Sequence, residues 1–127
     1  MRDREPLVKN AADRKQVAFA RRKEQQREDE FLAVVRAVMN QADGRRLMWE
    51  ILGRAGLDDT VFDHSGSIMY FREGRRNFGL ELKAALLRAD EDLFELMEHD
   101  MRAKQRAEAA EIAAMHTARA DTGDDTP

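Results

Sequence analysis

Six of the seven glycines (Gly44, Gly53, Gly56, Gly66, Gly74 and Gly79) fall in one central stretch, and only Gly123 lies outside it. Inside a helix glycine costs about 1 kcal/mol against alanine, so confining it to the middle leaves both ends free to form long helices. Residues 8–42 contain neither glycine nor proline and show no strand alternation. Trp49, Phe62, Tyr70, Phe71 and Phe78 share the glycine-rich stretch. The chain therefore reads as all-α. A polar helical arm over residues 1–30 precedes a compact core of about four helices over 31–101. An acidic helical extension with a flexible tail follows over 102–127.

The helices can be placed from their apolar spacing. Val17 to Glu30 has strong helix formers but almost no apolar stripe, so a helix there is marginal on its own. From Phe31 the pattern changes: Phe31, Val34, Val35, Val38 and Met39 recur at three- and four-residue spacing, which predicts a buried face. Asp43-Gly44 predicts the end of this helix, with Asp43 suited to cap the next. A second helix, about Arg45 to Ala55, turns Leu47, Met48, Ile51 and Leu52 inward, and Gly56 suits the left-handed residue that follows a helix. Residues 57–67 read as a loop anchored by Leu57, Val61 and Phe62. Ser67 can cap a third helix, about Ile68 to Arg88, with Phe71, Phe78, Leu82 and Leu86 inside. Asp90-Glu91-Asp92 is an acidic start for a fourth helix, favoured by the helix dipole, with Leu93, Leu96, Met97 and Met101 as its inner face. Past Met101 the stripe thins to alanines, Ile112 and Met115, and after Thr117 the chain reads as disordered. Within the third helix, Gly74 and Gly79 imply close packing against another backbone, from the first or second helix. A kink is the other reading.

Charge and missing chemistry narrow the function. The chain carries 22 Lys+Arg against 25 Asp+Glu, a net −3 that sums three unlike segments: +2 over 1–30, +1 over 31–79 and −6 over 80–127. The absence of cysteine removes disulfides, thiolate metal sites and thiol redox chemistry. No apolar run approaches the roughly 18 residues that cross a bilayer, and residues 1–20 lack a secretory h-region. A soluble chain of a reducing compartment is expected, with no membrane partner. His99 follows Glu95 by four residues, the spacing of two metal ligands, but a site wants three or four; a surface ion pair is the simpler reading. His64-Ser65 beside Asp58, Asp59 and Asp63 has the residue types of a triad or a calcium loop without the spacing of either. His116 lies in a polar tail. The dispersed glycines form no phosphate loop. No catalytic residue, metal site or cofactor is assigned, and an enzyme is not expected.

The arginines are more informative. Arg45 and Arg46 follow Gly44, and Arg75 and Arg76 follow Gly74; Arg72, Arg75 and Arg76 share one helical turn. Like charges so placed repel by a few tenths of a kcal/mol per pair unless something negative answers them. The answer is either the chain's own acids (Glu73, Asp43, Asp58, the fourth helix), a partner's carboxylates, or phosphate. Arg45, Arg46, Arg72, Arg75, Arg76 and Asn77 are therefore the candidate partner-binding residues. Balanced charge argues against a dedicated DNA binder. Packaged DNA remains a candidate contact, through these arginines and the basic segment Arg14, Lys15, Arg21, Arg22, Lys23 and Arg27.

The central residues also carry a resemblance. The block GRRLMWEILGRAGL, the loop with Phe62, and YFREGRRNFGLELKAALL resemble a family of small podophage proteins typified by a Bordetella-phage protein encoded among the head and portal genes. Its specific part is Gly44, Arg45, Arg46 and Leu52, followed about thirty residues later by Arg72-Glu73-Gly74-Arg75-Arg76-Asn77. The acidic fourth helix, with Leu93, Met97 and Glu98, is also similar. The resemblance spans about residues 31–101 and omits the arm and the tail. It implies a virion or virion-assembly component made in the host cytoplasm, without a catalytic activity to carry over. The partners it implies are other phage structural proteins (portal, adaptor or capsid) and further copies of the chain, as a homo-oligomeric ring or another multi-copy array.

Overall fold

The computed structural model describes residues 11–123, which form four helices and no strand: α1 (Ala11–Met39), α2 (Ala42–Arg54), α3 (Gly66–Ala89) and α4 (Glu91–Gly123). The first turn is tighter than the sequence suggests. α1 ends at Met39, Gln41 takes the extended N-cap conformation of α2, and Asp43 lies inside the first turn of α2 without a side-chain capping bond. Gly44 is thus not the breaker between helices but the residue that lets them meet. A Cβ there would fall on the Val38 carbonyl oxygen and stand 2.8 Å from Val38 Cγ1, so only glycine fits without moving the end of α1.

The second connection follows the expected left-handed exit: Gly56 has φ 72°, a conformation that costs other residues about 1–2 kcal/mol. Leu57 and Val61 are half-buried, whereas Phe62 is exposed, its ring in a T-shaped contact with that of His64. α3 starts at Gly66 with Ser65, not Ser67, as its N-cap. α4 starts from Asp90, whose Oδ1 accepts the Leu93 N–H at 3.0 Å, satisfying one of the donors a helix start leaves open.

Packing decides which apolar stripe goes inside. The buried residues are Met39, Leu52, Ala55, Ala85, Leu86, Ala89, Phe94 and Met97, with Val35, Met48, Trp49, Leu57, Leu82, Leu93 and Met101 packed partly against them. Several expected core residues are outside: Phe31 and Val34 on α1, Leu47 on α2, Phe71 and Phe78 on α3, and Leu96 on α4 are all exposed. On α3 the reason is a close approach. Gly79 faces the end of α2, where an added Cβ would stand 2.5 Å from Ala55 Cβ and 3.0 Å from Leu57 Cδ2. The inner line of α3 is therefore set by Gly79, Leu82, Leu86 and Ala89, two leucines flanked by small residues, and the bulkier aromatics are turned away.

Both long helices project beyond this body. On α1, Glu28 forms an ion pair with Arg88 of α3, and Val17 and Phe19 further out are exposed. α4 continues to Gly123 rather than fraying after Thr117. Ala118 and Ala120 are strong helix formers, and the Thr117 and Thr122 hydroxyls donate back to the Ala113 and Ala118 carbonyls at 3.0 Å. The rest of the expected flexible tail, residues 124–127, and the first ten residues of the arm lie outside the described residues.

Candidate docking surface

The candidate arginines separate by what they touch. Arg72 Nη1 donates to the Phe62 carbonyl at 3.2 Å and stands 3.6 Å from Asp63 Oδ2. One turn on, Arg76 Nε donates to the Leu57 carbonyl at 3.3 Å. Arg45 Nη1 donates to the Met39 carbonyl at 2.8 Å, one of the acceptors that the end of α1 leaves without a helical partner. Arg36, which the sequence did not single out, does the same for α3, donating from Nε to the Ala89 carbonyl at 2.9 Å. Carbonyls outside a helical ladder need donors, and a guanidinium offers five in a fixed plane. Arg36, Arg45, Arg72 and Arg76 are thus internal clips that hold helix ends and the α2–α3 connection.

Arg46, Arg75 and Asn77 are the remainder, and all three are exposed. Among the described residues, neither Arg46 nor Arg75 has a carboxylate within ion-pair distance. Arg46 lines an open groove between α2 and α4 with Asp43, Leu47, Trp49, Glu50 and Met101. Arg75 lies over the Phe71 ring, 5.7 Å from its centroid, within reach of a cation–π attraction.

The outer face of α3 is an aromatic ridge with a notch. Phe71 is 68% exposed and Phe78 58%; seven residues, or about two turns, separate them along one face. Between them Gly74 has no atom within 4 Å of where a Cβ would stand. The close packing expected at Gly74 is therefore absent among the described residues, while Gly79 has it. Five residues turn a helix by about 140° beyond a full circle, so these two glycines cannot face the same neighbour. That angle was the signal in the sequence that could have found the ridge. An exposed apolar strip rimmed by arginine and asparagine has the composition of an interaction surface.

The histidines gather nothing comparable. His99 Nδ1 is 3.4 Å from Asp100 Oδ1 on an exposed part of α4. Among the described residues no three His, Cys, Asp or Glu side chains come together in a way that could hold a metal. No described helix is long and apolar enough to cross a membrane.

No curated protein and no solved structure matches the chain. The family of Bbp19-like phage proteins matches residues 35–98, from Val35 in α1 to Glu98 in α4. That stretch lies just inside the span on which the resemblance rested. It holds every buried core residue, the four arginine clips and the aromatic ridge, and it leaves out the arm and the α4 extension. Half of the chain, including all of its core, fits one family, and the chain belongs to the Bbp19-like phage proteins.

Proposed function

We propose that this phage protein is a non-enzymatic structural component of the virion, present in several copies and docked at the portal, the head–tail junction or the inside of the capsid. The observation that carries this reading is the α3 ridge: Phe71 and Phe78 exposed about an open Gly74, with the exposed Arg75 beside them, inside the family-matched stretch. A chain that leaves its largest aromatic face uncovered has a use for it in contact with another protein. Its neighbours are portal, adaptor or capsid subunits and further copies of itself. Quantitative mass spectrometry of purified particles tests this: a fixed copy number is expected, and absence from mature particles would end the reading. Detection in immature particles alone would identify an assembly scaffold instead.

A nucleic-acid-associated role, internal to the head or in packaging, is the second reading, favoured by Arg14, Lys15, Arg21, Arg22, Lys23 and Arg27 on α1, which form no ion pair among the described residues. Arg45, Arg72 and Arg76 lend it little, because their guanidinium groups are engaged with carbonyl oxygens. Duplex DNA binding that falls steeply with salt would support it. Weak binding, unchanged between low and physiological salt, would count against it.

A further inference from the structure

The inner stripe of α4 outruns the body it packs on. Met97 is buried and Met101 packs against the core; Met115 lies eighteen residues after Met97, which is five turns and the same angular position. Yet Ile112 and Met115 are 55% and 67% exposed, left uncovered by the described helices. The stripe there consists of Glu108, Glu111, Ile112 and Met115, spaced i, i+3, i+4 and i+7. Phe71, Gly74, Arg75 and Phe78 on the α3 ridge have the same spacing. One face has a notch and an exposed cation, Arg75, which lies near Asp59 at Gly56 but forms no ion pair among the described residues. The other has a protruding isoleucine and two carboxylates with no basic partner within ion-pair distance among the described residues.

We infer that the α3 ridge receives the α4 extension of a second copy of this chain, antiparallel, with Ile112 seated over Gly74. In that register Glu111 meets Arg75, Met115 meets the Phe71 ring in a favourable thioether–aromatic contact, and the stem of Glu108 lies along Phe78. A parallel register sets Glu111 over Gly74 and Ile112 on Arg75, leaving both charges unanswered. The chain's own extension does not fill the notch, since nothing lies near Gly74 and α4 is one unbroken 33-residue helix. Because the two surfaces differ, the contact is head-to-tail, and it closes into a ring or continues as a filament. The inference rests on the multi-copy reading above and names the partner at its site.

Sedimentation of the full-length protein over a concentration series tests it. The wild type is expected to form species larger than a monomer. Gly74→Leu fills the notch while improving helix propensity, so it should unfold later yet remain monomeric; association unchanged by this substitution overturns the inference. Arg75→Glu and Glu111→Arg should each weaken association by about tenfold, and the two together in one chain should restore it. Failure of that restoration also overturns it. The chain has no cysteine, so Gly74→Cys mixed with Ile112→Cys should yield a disulfide-linked pair, whereas Gly74→Cys mixed with Val17→Cys should not. A wild type that stays monomeric throughout, with the ridge still needed for incorporation into particles, refutes this partner and leaves the virion role standing. Absence from particles with self-association intact does the reverse.

Discussion

Gly79 and Gly74 stand on one helix and meet opposite surroundings. At Gly79, Ala55 and Leu57 leave no room for a methyl group, and Leu82, Leu86 and Ala89 continue a sealed seam. At Gly74 the space is open, and Phe71 and Phe78 flank it in solvent. Both faces are apolar, so hydrophobicity does not separate them. Shape does: the chain covers the face whose small residues admit the end of α2, and the aromatic face stays exposed. The arginines of α3 differ in a related way: Arg76 is bonded to the Leu57 carbonyl, whereas Arg75 lies over the Phe71 ring with its guanidinium against Gly56, near Asp59, and makes no ion pair among the described residues.

Substitutions on the two faces should therefore differ in kind. Leu86→Ala is expected to cost about 2–5 kcal/mol by denaturant unfolding, as for a fully buried leucine, whereas Phe71→Ala should stay within about 0.5 kcal/mol at dilute concentration. A large loss at Phe71 would erase the distinction. Gly79→Ala should destabilise by about 1–3 kcal/mol, because Ala55 and Leu57 must shift. Gly74→Ala should act in the opposite direction and raise stability by about 1 kcal/mol, the helix-propensity gain at an open site; thermal melts of the two variants side by side read the sign directly. The smallest contrast is Arg76→Ala, which should cost about 1 kcal/mol through an unpaired carbonyl and a loosened connection, against a smaller loss for Arg75→Ala, whose guanidinium makes a ring contact and packs on Gly56 without a hydrogen bond. Equal losses would mean that the clip and the exposed arginine are not distinct.

Much of this architecture is legible in the residues. The run from Val35 to Met39, the glycine after α2, the acidic start of α4 and the wide spacing of glycine-free ends all rest on local chemistry, and the helices lie where that chemistry puts them. What the sequence could not rank were two apolar stripes on a single helix. Phe71 and Phe78 are more hydrophobic than Gly79 and Ala89, yet the tighter neighbour wins, and that neighbour is set by a turn elsewhere. Gly44 misleads for a related reason, since a glycine demanded by close approach looks the same as one that ends a helix. The arginine clips were half visible. A cluster of cations signals that something must answer it, but only the folded chain shows that carbonyl oxygens at Met39, Leu57 and Phe62 do so. Arg36 gave no signal beyond a basic residue in a last helical turn, because its acceptor, Ala89, is far away in sequence.

The small core bears on how many copies survive. Eight buried hydrophobic residues, three of them alanine, are what the described part of the chain seals from water, so an isolated copy has little margin against opening. A seated copy gains about 2.7 kcal/mol when its neighbour is present at a hundredfold over Kd. A copy without a place gains nothing, and proteases sample its open state in proportion to how often it is visited. In the proposed multi-copy assembly, overproduction would then correct itself by degradation, and the number of copies that persist would be set by the number of seats.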